Sequence, residues 1–388
     1  MTGSFARVAS TAAKRMTIRV SRPPAQRILV LGIMIFSGPL TSAVSSAQTS
    51  RPAVVRPSDV RGISWSDPRD NYNPAQIVPA HLSLDSTPQQ ARQVADGVAE
   101  RALALGANTV RLGINPPTVA DPRWWPVYRE AILELARRNV CVLLCAWEQS
   151  PTVSSHGRSK HDGRFGAGTV DTYAAMWAVV YRAFADESNV IGYELLNEPF
   201  GFRGHRDEYV AAMTRLMKAV GPHLNGKHFL VAGIGYSDDV RTIAPAFPQK
   251  DVWFAYHVYP NWFGGEAGQT VLSRQNYADE IASRLLGVED RTVITEFGCW
   301  GGPGFDYSRP ANDQSTLGAR RHVGYLQGVA DACARLKLGS VYWFGDAREP
   351  RTHDAYDLFA DDGKVFEKTR ADQVRRAWGL PPLPAQSP

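Results

Sequence analysis

Eight short apolar segments recur along the chain, and most are followed by a longer segment with helical periodicity. The short segments are rich in Val, Ile, Leu and aromatic residues without polar alternation, which is typical of strands buried on both faces. They cover residues 61–65, 109–114, 140–147, 190–197, 229–234, 253–259, 292–297 and 340–344. The pattern therefore predicts eight buried strands.

The longer segments place apolar residues on one stripe at helical spacing. In the clearest case, Thr87 and Gln90 form a capping box, Pro88 takes the first helical position and Gly106 ends the stripe. Stripes around 128–136 and 173–184 predict two further helices, and others are predicted over 207–220, 271–286, 314–336 and 371–378. The helix expected after 229–234 has the weakest pattern.

This alternation predicts a (β/α)8 TIM barrel with enlarged loops, formed by a single catalytic domain over residues 60–388. The alternative is an open doubly wound sheet, which would require a glycine-rich phosphate-binding turn after the first strand. That strand continues here into Ser66-Asp67-Pro68, which contains no glycine. The barrel is therefore the favoured architecture.

The composition is that of a globular protein, with 44% hydrophobic and 21% charged residues among 388. It excludes disordered chains, collagen-like repeats and small disulfide scaffolds. The formal net charge is +5, but residues 1–47 hold six Lys and Arg and no acidic residue. Without them the chain carries −1, so the charge gives no support for nucleic-acid binding.

Residues 1–47 have the parts of a secretory signal peptide. The basic region precedes an apolar run at 28–36 that is too short to span a bilayer, and Ser45 and Ala47 offer small residues at a cleavage site. A retained N-terminal anchor is the alternative. We expect a secreted or periplasmic protein without stable membrane insertion after cleavage, with a polar, proline-containing linker at 48–59.

The four cysteines show neither a disulfide framework nor a metal-binding spacing. Cys141 and Cys145 share one predicted strand and would lie roughly 13 Å apart, beyond disulfide reach. We therefore expect buried, unpaired thiols. His156 and His161, in a polar loop, suggest a metal only faintly, and a substrate-contacting loop is the better interpretation.

Polar and charged residues stand where several predicted strands end, which is where barrel enzymes place their active sites. Glu198 follows one strand and Glu296 lies near the end of another. A carboxylic acid and a carboxylate at such positions are the equipment for glycoside hydrolysis. Further candidates at strand ends are Arg111, Asn197, His257, Tyr259 and Trp343.

These residues stand in five segments, NTVRL, VIGYELLNEP, HVYP, ITEFG and VYWF, whose order and content resemble glycoside hydrolase family 5, which contains many bacterial cellulases. The resemblance spans about residues 108–343. It implies a retaining β-glycosidase with Glu198 as acid/base and Glu296 as nucleophile. It also implies that Arg111 and Tyr259 keep Glu296 ionised, that Asn197 binds the sugar 2-hydroxyl, and that His257 and Trp343 shape the subsite of the reacting ring.

One position departs from the family pattern. The family usually has a histidine at the end of its third strand, where this chain has Trp147. Two other carboxylates compete for a role. Glu194 lies four residues before Glu198, deeper in the barrel, and is interpreted as a structural partner. Glu148 lies past a strand end and is expected to face solvent.

Tryptophans concentrate at or just past the predicted strand ends and are candidates for stacking on sugar rings. Loop packing is the alternative for about half of them. The set comprises Trp65, Trp124, Trp125, Trp147, Trp262, Trp300 and Trp343. Trp147, Trp262, Trp300 and Trp343 are retained as substrate-binding candidates.

The sequence as a whole predicts an endo-β-1,4-glucanase, with an oligo- or polysaccharide as its partner. A β-mannanase or an exo-acting β-glucosidase of the same family, and a non-catalytic sugar-binding barrel, remain alternatives. A Schiff-base aldolase is disfavoured because no predicted strand contains a lysine. We expect no metal, no organic cofactor and a monomer.

Overall fold

The computed structural model describes residue 54 and residues 56–69, 75–147, 152–153, 159–160, 170–221, 224–263, 272–302, 304–346, 356–360 and 363–384. Eight parallel strands within these ranges close into a barrel in the order β1-β10-β9-β8-β7-β6-β3-β2. The barrel strands are β1 (Arg61–Trp65), β2 (Thr109–Ile114), β3 (Cys141–Ala146), β6 (Val190–Glu194), β7 (His228–Ala232), β8 (Val252–Val258), β9 (Thr292–Phe297) and β10 (Gly339–Asp346). A two-stranded antiparallel pair, β4 (Thr152–Val153) and β5 (Ser159–Lys160), follows β3.

Helices connect these strands around the outside of the barrel. They are α1 (Pro88–Leu105), α2 (Pro116–Ala120), α3 (Trp124–Arg137), α4 (Val170–Phe184), α5 (Arg206–Val220), α6 (Ile234–Ser237), α7 (Arg274–Leu285), α8 (Leu317–Leu336) and α9 (Lys368–Ala377). The helix α1 begins with the predicted capping box, since Thr87 accepts from the Gln90 amide and Gly106 ends it in a left-handed conformation. No helix in the described ranges is long and apolar enough to cross a membrane.

The single-domain (β/α)8 barrel and all eight strands are therefore confirmed, although two strands end two or three residues earlier than predicted. The strand predicted over 190–197 ends at Glu194, and that predicted over 229–234 ends at Ala232. The helix predicted after residues 229–234 was wrong. The chain there forms only the single turn α6 and a 3-10 turn at Ala244–Ala246, because Gly235 interrupts α6 with a positive φ.

Two apolar layers enclose the strands. Residues that point into the barrel pack on one another to form a small inner core, while the other face of each strand packs against the helices in a larger outer core. The inner core includes Cys141, Leu143, Leu230, Ala255 and Val341. Because side chains alternate along a strand, Cys145 on β3 and His257 on β8 also point inward, two residues beyond Leu143 and Ala255 respectively.

The predicted leader at 1–47 lies outside the described residues, as does most of the segment at 48–59. The last residues of that segment, Pro57–Asp59, form a 3-10 turn in which Pro57 is buried. All four cysteines are buried and none of them forms a disulfide bond, as expected from the sequence.

Candidate active site

The predicted site residues converge at the C-terminal end of the barrel. Alternation places Arg111 of β2 on the inward face, and it puts His257 on the inward face of β8, followed two residues later by Tyr259. Glu198 follows β6 by four residues and Glu296 lies in β9. The structure brings these five residues into one connected group of hydrogen bonds and ion pairs.

A register shift in β9 turns Glu296 towards the barrel axis. Ile294 pairs with Tyr256, and the next pair on β8 is His257 with Glu296, so Thr295 is an extra residue. The shift recurs against β10, between Ile294 and Phe297. Thr295 points inward too, because its hydroxyl donates to Glu194 Oε1 at 3.5 Å. The bulge therefore lets two consecutive residues face the site.

Arg111 is the central cation of the site and is completely buried. Its Nε and Nη2 groups donate to the two oxygens of Glu194 at 2.8 and 2.9 Å, while Nη1 donates to Glu296 Oε1 at 2.6 Å. Nη2 also donates to Asn197 Oδ1 at 2.8 Å and to Cys145 Sγ at 3.0 Å. The prediction that Arg111 lies beside Glu296 is confirmed, and Glu194 is the deeper structural partner expected from its position.

His257 lies between the two candidate catalytic carboxylates. Its Nδ1 is 3.1 Å from Glu198 Oε1 and 3.4 Å from Glu296 Oε2. Its Nε2 lies 3.5 Å from Glu194 Oε1, at the long limit of a hydrogen bond. One oxygen of Glu198 and one of Glu296 lie within 4.8 Å of each other and of the imidazole nitrogen. The imidazole therefore fixes the spacing of the two carboxylates.

The backbone at Glu198 has a left-handed conformation, with φ of 40°. This conformation is uncommon for a residue other than glycine and is concentrated at functional sites. A tight turn follows, in which the Phe200 amide donates to the Glu198 carbonyl oxygen at 2.7 Å. The Glu198 carboxyl side chain is only 8% exposed as a result.

Tyr259 donates its hydroxyl proton to Glu296 Oε2 at 3.1 Å. Burial and the neighbouring Glu296 charge raise the pKa of Tyr259 well above its usual value, so the hydroxyl stays protonated. Both predicted supports of Glu296, the guanidinium of Arg111 and the hydroxyl of Tyr259, are therefore in contact with the carboxylate.

The two acids that share Arg111 have opposite pKa shifts. Burial works against the charge of Glu194, but Arg111 and His257 outweigh it and lower the pKa of Glu194 to about 2. For Glu296 burial dominates and raises the pKa above its usual value, although His257 and Arg111 oppose it. The negative charges of Glu198 and Glu194 raise the pKa of Glu296 further. Arg111 alone thus does not hold Glu296 in the ionised form as firmly as the sequence suggests.

His257 is a cation over the neutral pH range. Burial opposes its charge, but the Glu296 charge and hydrogen bonds with Glu194 and Glu198 raise the pKa of His257 to about 9. A protonated Nδ1 donates rather than accepts, so it donates to Glu198 Oε1. Glu198, His257 and Glu296 have the ligand types of a metal site, but a buried imidazolium beside Arg111 opposes a bound cation.

Asn197 presents an amide group whose two ends differ. Its Oδ1 accepts from Arg111 Nη2, which orients the side chain, whereas its Nδ2 has no hydrogen-bond partner among the described residues. A buried donor without an acceptor costs about 1–3 kcal/mol. The arrangement leaves an oriented N–H group directly before Glu198, in position for a ligand hydroxyl.

Trp147 directly follows β3, two residues after Cys145, and its side chain is only 2% exposed. Its ring packs edge-on against Trp343, with centroids 5.8 Å apart and an interplanar angle of 68°. It also lies flat over Gly113, where a Cβ atom would come within 2.6 Å of the indole. Trp147 and Trp343 therefore form the apolar wall of the site beside Tyr259, with which they share a cluster.

Trp300 and Trp262 are half-buried at the C-terminal end of the barrel. Trp300 stacks on His322, with ring centroids 4.5 Å apart, and its amide donates to His322 Nδ1 at 3.2 Å. Burial lowers the pKa of His322 to about 3, so the imidazole stays neutral and can accept. Trp262 packs on Tyr259, with centroids 5.1 Å apart.

Other tryptophans of the predicted set serve the core. Trp65 and Trp124 are buried and donate their indole N–H groups to the carbonyl oxygens of Ala80 and Ile77. Trp125 packs against Phe184 in the outer core. Trp124 and Trp125 begin α3 rather than following a strand, which explains their packing role. Glu148, His156 and His161 lie outside the described residues.

Sequence reasoning missed three contributors to the site. Cys145 accepts a hydrogen bond from Arg111 in addition to packing as an apolar residue. Phe200 and Tyr236 stack on each other, with centroids 5.0 Å apart, near Trp262. The position of Phe200 two residues after Glu198 was a signal for its role, while Tyr236 follows Gly235 in a segment predicted to be helical.

A model of the family described as cellulase (glycosyl hydrolase family 5) matches residues 85–343, which is more than half of the chain. The matched range contains every predicted site residue, from Arg111 to Trp343. No curated protein sequence matches the chain.

Solved structures of several cellulases share the fold at low sequence identity. The catalytic domain of the major endoglucanase of Xanthomonas campestris pv. campestris is 16% identical with a TM-score of 0.61, covering 84% of this chain and 96% of its own. The hyperthermophilic endocellulase of Pyrococcus horikoshii is 16% identical with a TM-score of 0.59, covering 82% and 92%. A variant of that archaeal enzyme in complex with cellotetraose is 15% identical with a TM-score of 0.57 and covers the same shares.

Proposed function

Because the chain belongs to glycosyl hydrolase family 5 and is a glycoside hydrolase, we propose that it is a secreted, retaining endo-β-1,4-glucanase. The observation that carries the proposal is the pair of buried carboxylates at the barrel mouth, Glu198 and Glu296, placed on either side of His257. The endoglucanases with the same fold support the substrate class, and the leader-like residues 1–47 support secretion.

The spacing of the carboxylates favours retention of configuration. Retaining glycosidases hold their two carboxyl groups about 5–5.5 Å apart, whereas inverting enzymes need about 6.5–9.5 Å to admit a water molecule. Oxygens of Glu198 and Glu296 lie within 4.8 Å of each other. This separation fits the retaining geometry better than the inverting one, so in the proposed mechanism one carboxylate attacks the sugar directly.

In the first step, Glu296 attacks the anomeric carbon and the glycosidic C–O bond breaks. Glu198 donates a proton to the departing oxygen, so that the leaving sugar departs as a neutral alcohol. His257 Nδ1 donates to Glu198 Oε1, which assigns the transferred proton to Oε2. Arg111 and Tyr259 bind different oxygens of Glu296 and keep the carboxylate oriented.

In the second step, a water molecule replaces the leaving group and attacks the same anomeric carbon. Glu198, now ionised, takes a proton from the water, and the bond between the sugar and Glu296 breaks. The ester has removed the negative charge of Glu296, and this removal makes Glu198 the dominant anion beside the His257 cation. Two displacements on one carbon restore the β configuration.

The remaining site residues position the reacting ring. Asn197 offers its Nδ2–H group to the sugar 2-hydroxyl, where a hydrogen bond strengthens as the transition state forms. Trp343 offers an indole face beside Tyr259, and Trp147 supports Trp343 from the side. His257 acts through the two carboxylates that it holds.

The proposal is tested by measuring reducing sugars released by protein beginning at Gln48 from four polymers: β-glucan, carboxymethyl-cellulose, mannan and xylan. We expect cleavage of the two glucans and loss of that activity in Glu296→Gln, which keeps the shape of the side chain without its charge. Glu134→Gln, on the surface of α3, is the matched control and should match the wild type.

Cleavage of mannan alone would replace the glucanase assignment with a mannanase. Activity confined to aryl β-glucosides would indicate an exo-acting β-glucosidase instead. Folded protein that releases no sugar from polymers or aryl glycosides would contradict the proposed function.

A further inference from the structure

Arg370 is a completely buried cation in the first turn of α9, on the outside of the barrel. Its Nη1 group donates to the carbonyl oxygen of Cys299 at 3.2 Å, and its Nη2 group donates to the carbonyl oxygen of Asp357. Cys299 comes two residues after β9, and Asp357 belongs to the segment 356–360 that follows β10. One guanidinium therefore joins the segments that follow two neighbouring strands.

The segment 298–302, which we call the β9 loop, is also held by Glu367. The Glu367 carboxylate lies 3.6 Å from Arg370 Nε and accepts a hydrogen bond from the Gly302 amide. A Cβ atom at Gly301 would lie 2.5 Å from both Arg370 Nη1 and Glu367 Oε2. Because glycine has no Cβ, the backbone of the loop lies directly against the ion pair.

Arg370 keeps its charge among groups that are mostly neutral. Burial raises the pKa of the Cys299 thiol to about 11 and raises the pKa of both neighbouring tyrosines, whereas the neighbouring histidine is the neutral His322 described above. Glu367 is the acid that faces it. The titratable groups that surround Arg370 are Cys299, Tyr307, His322, Tyr342 and Glu367.

Tyr356 connects this arrangement to the active site. Its ring lies over the β9 loop, where a Cβ atom at Gly298 would come within 2.8 Å of it. The same ring packs edge-on against Tyr259, with centroids 6.2 Å apart and an interplanar angle of 84°. Tyr259 in turn donates its hydroxyl proton to Glu296 Oε2 at 3.1 Å. A chain of contacts thus leads from the buried guanidinium to the carboxylate.

A guanidinium is well suited to hold two backbone segments at a fixed separation. Its N–H groups point in fixed directions within one plane, whereas a lysine ammonium is a single point on a flexible stem. A buried charge is also costly unless it is paired and hydrogen-bonded. Any movement of either segment away from Arg370 would break a hydrogen bond to a buried cation, so the two segments are held together.

We propose that Arg370 is a positioning residue for the reaction: it fixes the β9 loop and the segment of Tyr356 relative to each other, and this keeps the Tyr259 hydroxyl on Glu296. The inference rests on the proposed function, because it takes Glu296 as the nucleophile. Arg370 is buried away from the reacting atoms and acts through Tyr356 and Tyr259.

The acid limb of the kcat/KM profile on an aryl β-cellobioside reports whether the Tyr259 hydroxyl is in place, because this hydrogen bond favours the ionised Glu296. Arg370→Met removes the charge and both hydrogen bonds. We expect it to lower kcat/KM about tenfold and to move the limb to higher pH. Variants at 370 and 356 replace none of the groups that act directly on Glu296, which are Arg111, Cys145, Glu194, Glu198, His257 and Tyr259.

Two further variants separate the effect of position from that of charge. Arg370→Lys keeps the charge but can bind only one of the two carbonyl oxygens, so the limb should move part of the way. Tyr356→Ala changes no charge and removes the ring that packs on Tyr259, so the limb should move as in Arg370→Met. Tyr356 is half-buried, and its variant decides the test if Arg370→Met does not fold.

The Tyr259→Phe background shows whether the effect passes through the Tyr259 hydroxyl. In that background neither Arg370→Met nor Tyr356→Ala should move the limb further, because the hydroxyl that they position is absent. A direct effect of the Arg370 charge on Glu296 would instead add to the effect of Tyr259→Phe.

Arg375→Met is the matched control on the same helix. Arg375 also binds two backbone carbonyl oxygens, those of Leu105 and Pro381, each at 2.7 Å. Leu105 ends α1, which lies at the opposite end of the barrel from the active site. The control should therefore keep the wild-type limb, while thermal unfolding measures the stability that each variant loses.

A limb that stays in place in both Arg370→Met and Tyr356→Ala would overturn the proposal. Shifts that persist in full in the Tyr259→Phe background, or an equal shift in Arg375→Met, would also overturn it. A wild-type protein that does not cleave the aryl β-cellobioside would contradict the proposed function itself, and the inference would fall with it. The two failures are therefore distinguishable.

Discussion

Arg111 binds both oxygens of Glu194 and one oxygen of Glu296, so a single guanidinium binds two buried carboxylates. The bidentate partner, Glu194, has its pKa lowered to about 2, while burial raises the pKa of the Glu296 carboxyl. Glu194 thus offsets much of the effect that the Arg111 charge would otherwise have on the pKa of Glu296. Glu194 thereby contributes to the raised pKa of Glu296, the proposed nucleophile.

Replacing Glu194 with Gln removes a negative charge that raises the pKa of Glu296. The Arg111 charge then acts more fully on Glu296, whose pKa falls. Since activity requires an ionised Glu296, the acid limb of the kcat/KM profile should move to lower pH. The measurement is the pH dependence of kcat/KM on an aryl β-cellobioside for the wild type and Glu194→Gln. An acid limb that stays in place or moves to higher pH would contradict the coupling between Glu194 and Glu296.

Tyr259→Phe should move the same limb in the opposite direction. The Tyr259 hydroxyl donates to Glu296 Oε2, and this bond favours the carboxylate over the acid. Its loss raises the pKa of Glu296 and should lower kcat/KM about tenfold to hundredfold, the usual effect of one hydrogen bond to a charged group. An unchanged profile would show that the bond does not act on the nucleophile.

His257 makes the stability of the protein depend on pH in the alkaline range. A pKa raised to about 9 gives a stabilisation that is complete below the unfolded value near 6.5 and is lost as pH rises through 9. The unfolding free energy should fall by on the order of 3 kcal/mol between these values. His257→Gln, which cannot titrate, should lack this fall in denaturant titrations, and an equal fall in both proteins would disprove the assignment.

Gly113 and Trp147 should be strongly coupled. A Cβ atom at 113 would lie 2.6 Å from the Trp147 ring, so Gly113→Ala forces the ring away from its place beside Trp343. We expect a loss of about 1–3 kcal/mol in stability, together with reduced activity. Trp147→Phe replaces the indole with a smaller ring. The double variant should therefore recover part of the stability that Gly113→Ala alone loses. Strict additivity in unfolding measurements would contradict the contact.

The strands were predictable because buried parallel strands leave apolar runs that are easily recognised, and their ends then marked the site. Arg111, His257 and Tyr259 lie where alternation along a strand places them. Glu296 was located by its place near a predicted strand end, and the family resemblance supplied its role as nucleophile. Its inward direction depends on the bulge at Thr295, which no local sequence signal marks.

The features that the sequence did not reveal depend on contacts between distant loops. Tyr236 reaches the site because Gly235 adopts a positive φ and because Arg203 pairs with Asp238. The way in which the hydrogen bonds of Arg111 are shared between Glu194 and Glu296 depends on side-chain geometry inside the barrel. Burial, rather than the nearest cation, decides the direction of the Glu296 pKa shift.

The central claim is that Glu296 forms a covalent bond with the sugar, and one trapping experiment tests it most directly. In 2-deoxy-2-fluoro-β-cellobiosyl fluoride, the ring fluorine slows both steps and the good leaving group lets the first proceed, so the glycosyl-enzyme accumulates. Peptide mass spectrometry of the trapped protein should place the sugar on Glu296, in stoichiometric amount. A sugar attached to Glu198 or Glu194, or active enzyme that is never labelled, would contradict the account.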